Sequence, residues 1–212
     1  MDNIDTIYYI NLEHRVDRNK EILDCMNDLG VPSEKLQRIN AVYENYMGLL
    51  GCVKSHILTL ETFIASDANI CMVLEDDFQY KNKETFWSDI SNIFDTKLNF
   101  DVVQLSYNHN FLPELFFVVK DTEHPFLKKA QKTISTSSYI ITKEFAPKLL
   151  ENFKESANLL SMYGLINDKA YALDVYWHIL QEKSNWYVIY PSIGFQRGSY
   201  SDICKSYMEY NV

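Results

Sequence analysis

The sequence predicts a single α/β domain with a mixed, mainly parallel central sheet flanked by helices. Short apolar and β-branched runs, typical of buried strands, alternate along the chain with longer segments whose apolar residues recur at helical spacing. One apolar run of five residues, Ile70 to Leu74, passes directly into Glu75, Asp76 and Asp77. Because no internal repeat, linker or low-complexity tract interrupts this pattern, we expect one domain over 1–212.

Composition narrows the class of protein. The chain has 212 residues, of which 47% are apolar and 14% aromatic, and this argues for a compact fold and against disorder. A net charge of −9 without a basic stripe disfavours nucleic acid as a partner. The four cysteines are widely spaced, so we expect reduced thiols without a disulfide framework or zinc site. No twin-arginine motif, hydrophobic signal or membrane span is apparent, and we therefore expect a cytoplasmic protein.

The first strand and helix form the opening of a nucleotide-type α/β unit. Thr6 to Leu12 is β-branched and aromatic and is predicted to be a strand. Asp17 is the predicted cap of the following helix, and Gly30 is its predicted stop. The loop between them carries Arg15 and Arg18, and arginines at such a junction can bind phosphate or carboxylate bidentately.

A second strand, Lys35 to Val42, precedes a glycine-led helix that begins near Gly48. Lys54 and Ser55 fall in its first turn, where they can approach an anion at the strand ends. The segment is not a P-loop, because the Gly-Lys-Ser/Thr ending is absent. His56 lies next to a core position, which favours a packing role for it over a ligand role.

Seven further elements complete the predicted fold. In chain order they are a helix Thr85 to Phe94, a strand Phe100 to Leu105, a hairpin through Leu115 to Val119, a strand Tyr139 to Ile141, a helix Lys143 to Phe153, a helix Lys169 to Gln181 and a strand Trp186 to Tyr190. The tail from Gly194 to Asp202 shows no periodicity.

The acidic triplet is the strongest candidate for a functional site. In an open α/β sheet, ligands bind outside the carboxyl ends of the strands, and Glu75, Asp76 and Asp77 stand at such an end. Adjacent carboxylates repel one another unless a cation or hydrogen-bond donors neutralise them. A hard divalent ion, with a diphosphate completing its shell, suits these oxygen ligands. The alternative is a solvated acidic loop, but the abrupt change from core strand to acids favours a site.

Several motifs together resemble those of glycosyltransferase family 25, which contains lipopolysaccharide sugar transferases and collagen galactosyltransferases and has relatives in large DNA viruses. The matching segments, in order, are Tyr9-Ile10-Asn11-Leu12 with Arg15 and Asp17-Arg18, Gly48 with Gly51-Cys52-Val53-Lys54-Ser55-His56, Val73-Leu74-Glu75-Asp76-Asp77, Ser137-Ser138-Tyr139-Ile140-Ile141, Asp174 and Ser201-Asp202-Ile203. The third segment resembles an Asp-x-Asp motif with Glu first. The fourth resembles a segment usually written Gly-Thr-x-x-Tyr, with Ser in place of Gly and Thr.

The resemblance implies a GT-A type, Rossmann-like fold and a metal-dependent, inverting hexosyltransferase. Such an enzyme uses Mn²⁺, or Mg²⁺, and a UDP-sugar donor, and it transfers galactose or glucose to a hydroxyl of a glycan or glycoprotein acceptor. The sequence does not identify the donor sugar, the acceptor or the oligomeric state.

The resemblance also suggests roles for individual residues. If the acidic segment is extended, Glu75 and Asp77 point together toward the metal, while Asp76 points toward the ribose or neighbouring backbone. Gln196 in the tail is the candidate for completing the metal shell. The predicted nucleotide pocket contains Asn11, Leu12 and Arg15, with Lys54 reaching the same crevice.

Asp174 is the predicted catalytic base. Its apolar neighbours in sequence should desolvate the carboxylate and raise its pKa. A helix-capping or salt-bridged Asp174 is the structural alternative, and Asp168 and His178 are the other candidates for the base. Trp177 and Tyr107 lie beside polar loops and are weaker candidates for stacking on a sugar ring.

Two other functions compete with this interpretation. A catalytically silent descendant would bind a nucleotide-sugar or glycan without turnover, but retention of Glu75, Asp77 and Asp174 counts against it. A phospho-receiver domain also uses acids at strand ends. That domain is disfavoured because its acidic pair should follow the first strand, where this chain has Asn11 to Arg15.

Overall fold

An eight-stranded mixed sheet forms the centre of the computed structural model, which describes residues 1–108 and 119–209. The strands are β1 (Thr6–Asn11), β2 (Leu36–Asn40), β3 (Ile70–Glu75), β4 (Phe78–Tyr80), β5 (Val102–Gln104), β6 (Val119–Asp121), β7 (Leu127–Ala130), β8 (Ser138–Thr142), β9 (Trp186–Ile189), β10 (Gly194–Gln196), β11 (Ser199–Ser201) and β12 (Ser206–Met208). The helices are α1 (Val16–Asp28), α2 (Gly48–Ala65), α3 (Lys83–Asp95), α4 (Ala146–Tyr171), α5 (Leu173–Tyr176) and α6 (His178–Gln181).

The order of the strands defines where a ligand can bind. The central sheet runs β2-β1-β3-β8-β5-β9-β7-β6, and the hairpins β10-β4 and β11-β12 lie outside it. Relative to β1, only β7 and β8 of this sheet run antiparallel, which confirms the predicted mixed, mainly parallel sheet. The chain leaves β1 toward β2 on one side and returns to β3 on the other. The carboxyl ends of β1 and β3 therefore flank a topological switch point, where such sheets bind ligands.

Helices cover both faces of the sheet. Residues alternate along β1, so that Tyr8 and Ile10 pack against α2 and α4 on one face, while Ile7 and Tyr9 pack against α1 and α3 on the other. Because both faces are buried, the central strands consist of nearly continuous apolar runs rather than alternating ones. This explains why β1, β3 and β9 could be predicted from sequence.

Helix α2 accounts for much of the core on the first face. Among the described residues, it is the one helix long and apolar enough to cross a membrane by length and composition. Val53, Leu60 and Phe63 are nonetheless fully buried against the sheet and α4. Core packing therefore explains the apolar composition of α2.

The large aromatic side chains near the candidate site belong to the core. Trp177 is fully buried, its ring centroid lies 4.8 Å from that of Trp186, and its indole N–H donates to the Thr133 carbonyl at 2.9 Å. Tyr107 is only 5% exposed. Neither ring is available as a sugar-stacking platform, so that suggestion is wrong.

The start of α1, the tail and the C-terminal helices differ from prediction. Helix α1 begins at Val16 with Arg15 as N-cap, so Asp17 lies in the first turn and does not cap the helix. Gly30 follows α1 with a positive φ of 71°, in agreement with its predicted role as a stop. The tail, for which no structure was predicted, contains β10 and β11.

The third difference concerns the C-terminal helices. The helix predicted over Lys143 to Phe153 continues to Tyr171 as α4, with a non-helical residue at Asn167. The helix predicted over Lys169 to Gln181 is wrong as a continuous element, because the extended ψ of 138° at Ala172 separates α4 from α5. The hairpin predicted through Leu115 to Val119 lies outside the described residues except for Val119.

Two glycines in helices should respond oppositely to alanine. A Cβ on Gly51 would lie 2.6 Å from the backbone oxygen of Val42, which cannot move aside independently. A Cβ on Gly164 would instead meet the flexible end of Met47. We expect Gly51→Ala to lower the free energy of unfolding by about 1–3 kcal/mol through overpacking. Gly164→Ala should be neutral or stabilising by up to about 1 kcal/mol through helix propensity.

Urea unfolding of both variants beside the wild-type chain measures the difference. Equal effects of the two substitutions would contradict the close backbone contact at Gly51.

Candidate active site

A cavity of about 140 Å³ opens at the carboxyl ends of β1 and β3. The acidic triplet Glu75, Asp76 and Asp77 lines one wall, and Arg18 from the first turn of α1 lies beside it. The N-terminal part of α2 and the tail complete the enclosure, with Cys52, Ser55, His56, Gln196, Ser201, Asp202 and Ile203 among the lining residues. The cavity thus lies at the topological switch point of the sheet.

The acidic triplet bends rather than continuing the strand. Glu75 is the last residue of β3, and Asp76 and Asp77 form the turn into β4. The predicted alternation of side chains along an extended segment is therefore wrong beyond Glu75. Asp76 and Asp77 both contact Arg18, with Nη1 2.7 Å from Asp76 Oδ1 and Nη2 3.2 Å from Asp77 Oδ2.

Asn11, at the end of β1, fixes the other side of Asp76. Its side-chain Nδ2 donates to Asp76 Oδ2 at 2.7 Å and to the Arg15 carbonyl at 3.1 Å. Both partners are acceptors, so the orientation of the amide is determined by chemistry. Asp76 consequently has both oxygens paired, one with Asn11 and the other with Arg18.

Glu75 is held through one of its oxygens. Its Oε1 accepts a hydrogen bond from Thr136 Oγ1 at 2.7 Å and lies 3.3 Å from His56 Nε2. The other ring nitrogen of His56 lies 3.1 Å from the Tyr139 hydroxyl, and the imidazole is fully buried. His56 is therefore a packed core residue, as the sequence favoured, but it also positions an acid of the cavity.

Thr136 is a site residue that the sequence motifs, as matched above, did not include. Counted back from Tyr139, the Gly-Thr-x-x-Tyr spacing places its Gly and Thr on Ser135 and Thr136, two residues before the segment matched above. Ser135 has a φ of 85°, in the left-handed region that favours glycine. The spacing was the available signal, and the match to Ser137 and Ser138 is corrected accordingly.

Burial and mutual repulsion shape the charges of the triplet. Burial, followed by the charge of Glu75, raises the pKa of Asp77 to about 7. Burial also raises the pKa of Asp76, although Arg18 and Asn11 oppose the rise. For Glu75 the effect of burial is outweighed by hydrogen bonds from His56 and Thr136, and its pKa is lowered. The cavity thus carries more negative charge than Arg18 alone compensates.

Asp174 is not among the residues that line the cavity, but it lies close enough to Glu75 and His56 to interact with their charges. The backbone N–H of Ser135 donates to its Oδ2 at 3.0 Å, and burial raises the pKa of the carboxyl group. The Ser135 hydroxyl donates to Gln196 Oε1 at 3.2 Å, and Gln196 Nε2 lies 3.5 Å from Asp77 Oδ1. A short polar chain therefore links Asp174 to the acidic triplet.

Of the remaining predicted site residues, one lines the cavity and the others lie outside its lining. Leu12 lines the cavity. Arg15 does not line it and instead holds the tail, with Nη1 2.6 Å from Asp202 Oδ2. Lys54 lies in the second turn of α2, not in the first as predicted. It does not line the cavity, and its ammonium pairs with Glu44, which does. Asp168, a fallback candidate for the base, is exposed on α4.

A second set of potential metal ligands overlaps the cavity. Ligand atoms of Cys52, His56 and Glu75 lie within 4.8 Å of one another. Burial raises the pKa of the Cys52 thiol well above its usual value, so a metal ion bound here would have to displace the thiol proton. The carboxylate oxygens suit a hard cation better than this triad suits a soft one.

Solved structures resemble this fold at low sequence identity. The crystal structure described as mannose-1-phosphate geranyltransferase from Thermus thermophilus matches 88% of this chain and 73% of its own, at 8% identity and a TM-score of 0.50. A197 from STIV matches 88% and 82% at 15% identity and a TM-score of 0.47. A glycosyltransferase involved in glycosylation of the major capsid of PBCV-1 matches 87% and 92% at 9% identity and a TM-score of 0.41.

The fold is GT-A-like, with a mixed, mainly parallel central sheet and flanking helices. No curated protein sequence matches the chain at a significant level. Residues 46–163, more than half of the chain, match the family described as glycosyltransferase family 25 (LPS biosynthesis protein). The chain belongs to glycosyltransferase family 25, and this membership supports a role in glycosyl transfer.

His178, another fallback candidate for the base, should impose an acid limit on stability. Burial lowers its pKa to about 4 from an ordinary 6.5, so the folded protein resists its protonation. The resulting stabilisation is present above pH 6.5 and is lost as the pH falls toward 4. We expect the stability advantage of the wild-type chain over His178→Gln to shrink by about 1–2 kcal/mol between pH 7 and 4.

Chemical unfolding at pH 7, 5 and 4 measures this difference, and His124→Gln is the matched control for loss of a histidine. A constant difference between the wild type and His178→Gln at all three values would contradict a buried neutral imidazole.

Proposed function

We propose that this chain is a metal-dependent, inverting glycosyltransferase that moves a hexose, galactose or glucose, from a UDP-sugar to a hydroxyl of a glycan or glycoprotein. The observation that carries the proposal is the placement of Glu75, Asp76 and Asp77 in one cavity at the switch point of the sheet. A single guanidinium, that of Arg18, is the only fixed cation among the described lining residues. Such an excess of buried carboxylate favours a ligand that brings positive charge.

A hard divalent cation fits these residues. Both polar partners of Glu75 engage Oε1, so Oε2 can coordinate an ion. Burial and the charge of Glu75 raise the pKa of Asp77, and a cation beside Asp77 would favour the charged carboxylate. Glu75 and Asp77 would therefore hold Mn²⁺ or Mg²⁺, with Gln196 beside Asp77. When bound, the cation acts as a Lewis acid and neutralises the charge that develops on the leaving diphosphate.

The nucleotide is proposed to bind at the carboxyl end of β1. Leu12 supplies an apolar wall, and Asn11 keeps Asp76 in place on the floor of the same region. Arg15 and Lys54 act from the rim, where each is already paired with an acid that lines the cavity, Asp202 and Glu44 respectively. These pairs order the segments that surround the nucleotide.

Asp174 is proposed to be the general base of a single in-line displacement. The acceptor oxygen forms the new bond to the anomeric carbon while the bond from that carbon to the diphosphate oxygen breaks. The proton of the acceptor hydroxyl passes to Asp174. Ser135 fixes Oδ2 of Asp174 with its backbone N–H, and burial raises the basicity of the carboxylate.

A screen of UDP-sugars with Mn²⁺ or Mg²⁺ tests the proposed reaction directly. Slow release of UDP from donor alone, abolished by EDTA and restored by metal, is the expected result. Tight donor binding without any UDP release over days would contradict an enzymatic role and support a silent binding protein.

Asp77→Ala should abolish metal-dependent nucleotide binding while the fold survives. The substitution removes a proposed metal ligand and also relieves repulsion within the triplet, so stability should not fall by more than about 1 kcal/mol. Calorimetry with UDP and Mn²⁺ measures the loss. Asp121→Ala, which removes the same charge at an exposed site, is the matched control. Unchanged UDP and Mn²⁺ affinity in Asp77→Ala would show that Asp77 is not a ligand.

Asp174→Asn should lower the rate of transfer by about 10²–10⁴-fold, the usual contribution of a general base. Donor and metal affinities should be retained, because Asn keeps an oxygen that can accept the hydrogen bond from Ser135. Asp121→Asn at an exposed site is the matched control, and Asp168→Asn tests the alternative candidate. Near-full transfer by Asp174→Asn at saturating donor and acceptor would exclude Asp174 as the base.

A further inference from the structure

The positively charged side chain of Arg18 lies directly beside the carboxylates of the proposed cation site. Its Nη1 lies 2.7 Å from Asp76 Oδ1 and its Nη2 lies 3.2 Å from Asp77 Oδ2. Nη2 also donates to the Ser199 hydroxyl in β11. The guanidinium therefore contacts two carboxylates of the triplet at once and ties them to the tail.

This arrangement leaves part of the guanidinium unused. Nε of Arg18 is buried and has no hydrogen-bond partner among the described residues. A guanidinium carries five N–H donors, and a buried donor without an acceptor costs free energy. Since Arg18 also lines the cavity, an acceptor that enters the cavity could satisfy the Nε–H.

We propose that Arg18 is an exchangeable counter-ion. Before the metal binds, its guanidinium pairs with Asp76 and Asp77. After the metal binds, the guanidinium turns to the diphosphate of the donor. The inference rests on the proposed metal-dependent function. A divalent cation at Asp77 would share that carboxylate with a guanidinium of the same sign of charge, and the two cations would repel each other. The flexible side chain of Arg18 can relieve this repulsion by moving toward an anion.

The chemistry of the donor supplies that anion. The planar guanidinium fork matches phosphate oxygens bidentately, as it does carboxylate oxygens. Arg18 stands in the first turn of α1, directly after the loop that follows β1, so the diphosphate end of a nucleotide bound there lies within reach of its flexible side chain. Its departure from Asp77 would also release Nη2 from Ser199 and free one attachment of the tail.

The proposal predicts opposite effects of one substitution on two ligands. In Arg18→Gln, Mn²⁺ alone should bind about tenfold more tightly than in the wild type, because a competing charge within a few ångströms is lost. With saturating Mn²⁺, UDP should bind about tenfold more weakly, because a charge-assisted contact to phosphate is lost. Uridine, which lacks the diphosphate, should bind equally to both proteins.

Isothermal titration calorimetry with Mn²⁺, UDP and uridine measures these affinities. Arg38→Gln on the exposed edge strand β2 is the matched control, since it makes the same change in net charge away from the cavity and should leave all three affinities unchanged. Arg18→Lys retains the charge without the fork, so it should bind Mn²⁺ alone as the wild type does and UDP more weakly. This second variant decides the question if Arg18→Gln does not fold.

The outcomes separate this inference from the proposed function. Mn²⁺ and UDP affinities that both fall, or both stay unchanged, in Arg18→Gln would overturn the exchange, while metal-dependent UDP binding by the wild type would leave the proposed function standing. A wild-type chain that binds no Mn²⁺ even with UDP would overturn the metal-dependent function and the exchange with it.

Discussion

The clustering of three consecutive carboxylates at the end of β3 is the constraint on which the rest of the site depends. Adjacent acids in a poorly solvated cavity are tolerated only if donors from elsewhere in the chain compensate them. Here each acid has polar partners. Thr136 and His56 hold Glu75, and Asn11 holds Asp76. Arg18 is shared by Asp76 and Asp77, and Gln196 lies beside Asp77. These partners come from β1, α1, α2, β10 and the segment before β8. The acids at the end of β3 are therefore held by residues from many separate parts of the fold.

The topology of the sheet explains why these partners can converge. Placing β2 and β3 on opposite sides of β1 leaves a crevice at their carboxyl ends, with the first turn of α1 and the N-terminal part of α2 beside it. Because Gly51 has no side chain, α2 can approach the backbone of Val42, which lines the cavity. The tail closes it from above, anchored by the ion pair between Arg15 and Asp202. A cavity with one acidic wall follows from these local packing choices.

Ser135, which has a positive φ, links the proposed base Asp174 to the proposed metal ligand Asp77. In this conformation the residue offers its N–H to Asp174 and its hydroxyl to Gln196, which reaches Asp77. The candidate base and the candidate metal ligand are therefore held by one backbone segment. A shift of the Ser135 backbone would disturb the positions of both residues. This gives a physical reason why Ser135 keeps a backbone conformation that residues other than glycine rarely adopt.

The sequence by itself determined the fold class, the strands β1, β3, β5, β8 and β9, and the acidic triplet as the centre of a candidate site. These features are local: strands buried on both faces must be apolar, and charged residues that follow such a strand stand out against it. Tertiary structure alone decided the turn at Asp76 and Asp77, the position of the tail and the separation of α4 from α5. It also decided the partners of the acids, because Arg18 meets Asp76 across 58 residues and Thr136 meets Glu75 across 61. No local pattern encodes such pairings, since they exist only where distant elements pack against the same end of the sheet.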